Sequence, residues 1–206
     1  MYQIRRNHLR RTDKKGPFIK MKEEDAEKIH PQIASFHFCP GCGRPDGLTV
    51  LYRKAIHCSH CGFLLFFNSG AAAGILLRDA EGRILLTRRA LPPGKGKLGA
   101  PGGFTDMYES SEETAVRELQ EETSLVLRPE SLEYLCTCPN DYEYGNVHYL
   151  SHDVYFTAQI RDFSQARPLD ESDGLTALHP NEIQDSDIAF PSLRNALIIY
   201  RKKFLQ

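Results

Sequence analysis

GGFTDMYESSEETAVRELQEETSL, residues 102–125, places a glycine turn, an isolated glutamate and a carboxylate-rich segment in one register. Ser110 followed by Glu113 is a capping-box pattern. Thr114 to Thr123 contains helix formers and neither Gly nor Pro, so the spacing predicts a helix over about Ser111 to Thr123. On it Glu118, Glu121 and Glu122 stand at i, i+3 and i+4 and share one face, while Val116, Leu119 and Thr123 fall on a side suited to packing.

Three like charges at those spacings repel, so their grouping is unfavourable unless a cation sits among them. The bland alternative is a solvated acidic face. Hard divalent ions with oxygen ligands, Mg²⁺ or Mn²⁺, are the natural occupants, and Arg117 is placed to orient one carboxylate. From Gly103 the pattern runs Gly, five residues, Glu109, seven residues, then Arg117-Glu118-Leu119-Gln120-Glu121-Glu122. This resembles the Nudix box at every fixed position except Ser124, where that family has glycine. The departure bears on the turn after the helix, where φ > 0 is commonly wanted.

Before this segment lies a second motif, Cys39-Pro-Gly-Cys42 and Cys58-Ser-His-Cys61, each followed by glycine. Two residues between cysteines let both thiolates reach one tetrahedral ion, which predicts a Zn²⁺ site ligated by Cys39, Cys42, Cys58 and Cys61. Four thiolates leave no open position for water, so the ion is expected to be structural. Disulfides or a redox pair suit the paired spacing less well. His57 and His60 lie alongside and are not needed as ligands. Cys136 and Cys138 are read as packing residues on one strand face.

The chain has 206 residues, 41% hydrophobic and 26% charged, with a net charge of -1, and suits one ordinary domain plus something small. Such a balance gives no global reason to expect a nucleic-acid or membrane partner. No apolar run approaches the length of a spanning helix, and the charged first residues show no secretory signal, so a cytoplasmic location is expected. Residues 1–36, basic and then acidic, read as a mobile tail, with a start at Met21 as an alternative; 37–69 as the ribbon; 70–206 as the main domain.

In the main domain Ala71–Arg78 and Arg83–Arg89 read as strands joined by a turn at residues 79–82, the first buried on both faces. Leu91 to Lys97 is a basic loop from which Lys95 or Lys97, like the strand residues Arg88 and Arg89, could contact a substrate phosphate, although solvated charge is the plainer reading. Leu132–Cys138 reads as a strand, Pro139-Asn140-Asp141 as a turn, and His148–Ile160 as a second strand. Tyr142, Tyr144 and Tyr149 could stack a nucleobase or simply pack. Ile188–Phe204 reads as an amphipathic helix interrupted near its start by Pro191. Alternating strands and helices predict an α/β layered domain.

The Nudix resemblance covers about Gly70 to Gln206 and implies a mixed sheet between helices, preceded here by the zinc ribbon. It implies that Glu118, Glu121 and Glu122 hold Mg²⁺ or Mn²⁺, with Glu118 also a candidate base, Arg117 holding a carboxylate, and Gly102 or Gly103 completing the site. Glu171 and Asp173 are candidates for a further acid, and Arg88, Tyr142 and Tyr144 for substrate contacts. A ribbon before such a domain is similar to NADH and FAD pyrophosphatases. Pro139 approximates the proline of ADP-ribose pyrophosphatases. The implied activity is cleavage of a nucleoside diphosphate joined to another moiety. A triphosphate-sanitising hydrolase, or a non-catalytic nucleotide sensor with a nucleic-acid-binding ribbon, is the alternative. The resemblance also suggests a homodimer.

Overall fold

The computed structural model describes residues 29–169 and 172–205. The chain divides into two compact units, residues 1–67 and 68–206. In the first, β1 (Leu48–Leu51), β2 (Ala55–Cys58) and β3 (Leu64–Phe66) form an antiparallel sheet in that order. Its core is small, with Ile33, Ile56 and Phe67 buried and Ile29, Phe36, Leu48 and Val50 packed around them. The tail expected to reach residue 36 is therefore too long. Pro31–Ser35 form a 3₁₀ turn, and the backbone N–H of His30 donates to the Arg53 carbonyl at 2.7 Å. Ile29, Ile33 and Phe36 supply apolar surface that so small a sheet lacks. The basic run and the acidic run after it lie outside the described residues.

The second unit contains β4 (Gly70–Arg78), β5 (Ile84–Arg89), β6 (Leu98–Gly99), β7 (Gly102–Phe104), β8 (Glu133–Tyr144), β9 (Val147–Gln159) and β10 (Ser172–Leu178). Helices α1 (Ser111–Thr123) and α2 (Pro191–Phe204) complete it. The sheet runs β10-β5-β4-β9-β8, with β6 on β5 and β7 on β4. β4 and β9 are parallel and the remaining pairs antiparallel, which makes the sheet mixed, as expected. On one face Leu76, Ile84 and Leu86 pack with Leu193, Leu197 and Tyr200 of α2. On the other, Ile75, Leu77 and Leu85 pack with Ala115 and Leu119 of α1. β4 is thus buried on both sides because a helix covers each.

Asp79 fixes the turn after β4. Its buried carboxylate accepts from the backbone N–H of Glu81 at 3.0 Å and of Arg83 at 2.8 Å, and from Arg83 Nε at 2.8 Å. Beyond the Arg78–Ile84 pair, β7 bonds to β4 opposite Ala72, Ala73 and Gly74, and β6 bonds to β5 at Thr87 and Arg88. Residues from both separated strands line the cavity described below.

Two boundaries differ from expectation. Pro139-Asn140-Asp141 is not a turn: β8 continues to Tyr144, and the reversal comes at Gly145-Asn146, both at φ near 60°. β8 is the edge strand, where a proline without an N–H is tolerated. Pro191 does not interrupt a helix but occupies its first turn, where the missing N–H costs nothing. Ile188 before it bridges to Leu98.

α1 occupies Ser111–Thr123 as its capping box predicts. Ser110 Oγ accepts from the Glu113 N–H at 3.2 Å, and Glu113 returns a carboxylate to the Ser110 N–H at 2.8 Å. Val116 is only half-buried; Thr114, Ala115, Leu119 and Thr123 form the packed side. Ser124 ends the helix at φ 64°, the left-handed position that favours glycine. Ser124→Gly is expected to stabilise the protein by about 0.5–1 kcal/mol, raising the melting midpoint by about 1–4 °C. A lowered midpoint in calorimetry would show that the serine side chain is needed.

Candidate active site

Arg117 is the hub of the carboxylate face. It grips Glu109 with two hydrogen bonds, Nε to Oε1 at 2.8 Å and Nη2 to Oε2 at 3.0 Å. Nη1 donates to Glu118 Oε1 at 2.8 Å and to Glu121 Oε2 at 2.9 Å, and Nη2 also reaches the Phe104 carbonyl at 3.1 Å. The isolated Glu109 of the sequence thus ties the loop to the helix, a contact that a planar guanidinium makes and an ammonium cannot copy.

Glu109 is held down to about 2 chiefly by the Arg117 hydrogen bond, with burial opposing. Its folded pKa lies below the unfolded one, so the contact contributes stability above the ordinary value near 4.5. That stability is lost as pH falls toward about 2. Asp79 adds in the same direction, since its Arg83 partner overcomes burial and keeps it low. The thermal midpoint is expected to fall between about pH 4.5 and 2, less steeply in Glu109→Gln. A midpoint flat across that window contradicts this.

Glu118 behaves oppositely. Burial pushes its carboxyl above the ordinary range, against the pull of Arg117. Glu122 turns an oxygen toward the Gly102 N–H at 3.3 Å. The three glutamates, Gly102 and Gly103 all line one cavity of about 470 Å³, a size that suits a small ligand. A side chain at Gly102 would collide with the β4 backbone, so that position requires glycine, and one at Gly103 would displace the Glu118 carboxylate from its place on the cavity wall.

Tyr142, Tyr144, Phe104 and Phe190 add an aromatic lining. Tyr142 lies 5.4 Å from Phe190 and stacks on Tyr149 at 5.7 Å with 15° between the rings. Arg88 is a correction. Strand alternation sends Thr87 and Arg89 to the cavity, whereas Arg88 donates to the Gly96 carbonyl at 2.7 Å. Arg89 donates to the Pro93 carbonyl at 2.7 Å and stands 4.9 Å over the Phe190 ring. Lys95 and Lys97 are exposed and outside the lining. Glu171 lies outside the described residues, and Asp173 is exposed on β10 and is not among the residues lining the cavity. Sequence reading missed Asn140, Ser151 and Asp153, which also line it.

In the first unit the four cysteines form no disulfide, and all their sulfurs lie within 4.8 Å of one another. Cys39 and Cys61 are separated by 3.6 Å, and Cys42 and Cys58 by 3.8 Å. A tetrahedron with Zn–S bonds of about 2.3 Å has edges near ~3.8 Å, so the donors fit that ion. The Cys42 and Gly41 N–H groups overcome burial to pull Cys39 to about 7, while burial and the neighbouring sulfurs push Cys61 up to about 12 despite the Phe63 N–H. Cys136 and Cys138 sit apart in the α2-side core, as read from the sequence.

Residues 68–195 match the family model described as NUDIX domain. The chain belongs to the NUDIX family. Over 77 residues it is 39% identical to an ADP-ribose pyrophosphatase of Methanocaldococcus jannaschii, covering 37% of this chain and 44% of that protein. Over 136 residues it is 32% identical to the human mitochondrial NAD(P)H pyrophosphatase NUDT13, covering 60% of this chain and 37% of that protein. The matches thus span less than half of either relative. A NUDIX hydrolase from Nitrosomonas europaea shares the fold, with a TM-score of 0.60 at 24% identity over 83% of this chain and 94% of its own. Within this NUDIX domain the box residues form one loop–helix unit, with Glu109 and Arg117 clamping its two halves. Among the described residues no helix is long and apolar enough to cross a membrane.

Proposed function

We propose that this NUDIX protein is a divalent-metal-dependent hydrolase of nucleoside diphosphates joined to a second moiety, of the ADP-ribose, NADH or FAD type. It would release a nucleoside monophosphate and a phosphorylated product. The observation that carries this is one cavity lined both by three carboxylates of α1 and by stacking aromatics. The first suits a charged phosphate chain and the second a base. Similarity to an ADP-ribose and an NAD(P)H pyrophosphatase supports the choice of linkage.

Glu118, Glu121 and Glu122 are hard oxygen donors on one wall, two of them sharing a single guanidinium nitrogen, and would hold Mg²⁺ or Mn²⁺. When bound, such ions neutralise phosphate charge and acidify water. Arg117 orients Glu118 by fixing Oε1, which leaves Oε2 to accept the proton of the attacking water. Gly102 and Gly103 let the phosphate chain approach the backbone, and Tyr142 with Phe190 holds the base. Arg89 supplies positive charge to the lining. In the first unit the cysteines would hold structural Zn²⁺.

The test is hydrolysis of ADP-ribose, NADH, NAD⁺, FAD, diadenosine polyphosphates and nucleoside triphosphates, with products identified. AMP plus a phosphorylated partner from a linked diphosphate is expected. Preferential release of inorganic pyrophosphate from triphosphates contradicts the linkage proposed.

A further inference from the structure

We infer that Asn140 is a specificity-determining residue that donates a hydrogen bond from Nδ2 to an acceptor atom of the base; this rests on the nucleotide reading of the cavity above. Asn140 is 6% exposed and lines the cavity. Its two amide atoms differ. Oδ1 is sealed inside the protein without a hydrogen-bond partner, whereas Nδ2, also unpaired among the described residues, is the atom left accessible. What this side chain offers a ligand is therefore a donor.

The position is fixed by the ladder, in which Asn140 pairs with Ser151. An unpaired Oδ1 in the interior is destabilising, and an apolar side chain of similar size would avoid it, so what asparagine adds is Nδ2. The neighbours on this wall cannot stand in for it. Ser151 Oγ donates to Asp153 Oδ1 and Ser192 Oγ to Asp153 Oδ2, each at 2.6 Å. With that hydrogen committed, Ser192 Oγ accepts from Tyr155 OH at 3.1 Å. Among Asn140, Ser151, Asp153 and Tyr155, Asn140 alone keeps side-chain hydrogens for a ligand.

Asp153 narrows what the ligand atom can be. Asn140 pairs with Ser151 and Cys138 with Asp153, so Asn140 and Asp153 are diagonal neighbours on one face of the β8–β9 ribbon. A phosphate oxygen taken by Nδ2 would lie beside a second acid, and a neutral acceptor avoids that repulsion. Tyr142 stands two residues along β8 on the same face, about 7 Å away, against Phe190. A purine held on these rings brings the ring nitrogens of its edge toward Asn140. ADP-ribose, NADH and FAD all carry adenine, whose ring acceptors are N1, N3 and N7. Because Oδ1 is sealed, the bond is single, unlike the asparagine–adenine pair that also takes the amino group.

The experiment exchanges those nitrogens one at a time. Metal-free binding of AMP and its 1-deaza, 3-deaza and 7-deaza counterparts is measured by calorimetry in wild type and Asn140→Leu, with kcat/KM for ADP-ribose alongside. One deaza compound should bind the wild type about 5- to 100-fold more weakly than AMP, because a C–H leaves Nδ2 unpaired, while the other two stay within a few-fold. In Asn140→Leu that compound should bind within about two-fold of AMP, since the two losses remove the same bond. Asn140→Asp, of the same shape without the donor, carries the same comparison if leucine disturbs β8. Equal binding of all four nucleotides by the wild type, or binding of none, overturns the inference without needing a variant. So does a deaza penalty of the same size in wild type and variants, which places the donor elsewhere. Hydrolysis of ADP-ribose with no deaza-sensitive binding sinks this inference and leaves the hydrolase standing. A penalty that depends on Asn140, in a protein that hydrolyses nothing, does the reverse.

Discussion

Glu118→Gln is expected to lower kcat/KM by about 10²–10⁴-fold, the range for loss of a positioned acid or base. Its side chain is 17% exposed, and burial pushes its carboxyl above the ordinary carboxylate range against the pull of Arg117. Glutamine keeps the shape and can still accept from Arg117 Nη1, so the fold is not at issue. Removing one of several neighbouring negative charges relieves repulsion of about 0.2–0.5 kcal/mol, and the melting midpoint should hold or rise slightly. Lower activity with unchanged or higher stability marks a residue retained for chemistry. Activity within a few-fold of wild type would remove Glu118 from that role.

Removal of Zn²⁺, by chelation or by Cys39→Ser, is expected to unfold the first unit. Among the described residues its buried apolar core comes to Ile33, Ala55, Ile56 and Phe67 beside the cysteines, far too little to order the segment by hydrophobic burial alone. A structural zinc contributes on the order of 10 kcal/mol to a small domain. Hydrogen exchange should show residues 29–67 losing protection. The second unit has its own two-sided core and should keep its protection. Unchanged exchange across β1–β3 after verified metal loss contradicts a structural zinc.

What the sequence made legible was local. The capping box, the glutamate spacing and the CxxC knuckles each depend on residues a few positions apart, and all three appear where the spacing puts them. β4 was also readable, because an unbroken apolar run means burial on both faces. The misses were tertiary. Pro139 looked like turn chemistry, and only the edge position of β8 explains its place in a strand. That misreading hid Asn140, since a turn residue has no fixed face and a strand residue does. Asp153 takes its partner Ser192 from the start of α2, 39 residues away, which no local pattern encodes. Arg88 and Arg89 differed only by strand parity, set by the pairing of β5 with β6.

The most direct test is AMP release from ADP-ribose as Mg²⁺ or Mn²⁺ is titrated into zinc-loaded protein, with Glu121→Gln alongside. Saturable metal-dependent release, abolished by metal removal and reduced at least about 100-fold in the variant, is the predicted result. Release that needs no added divalent ion, or that survives intact in Glu121→Gln, would contradict the assignment of the α1 carboxylates as the reacting centre.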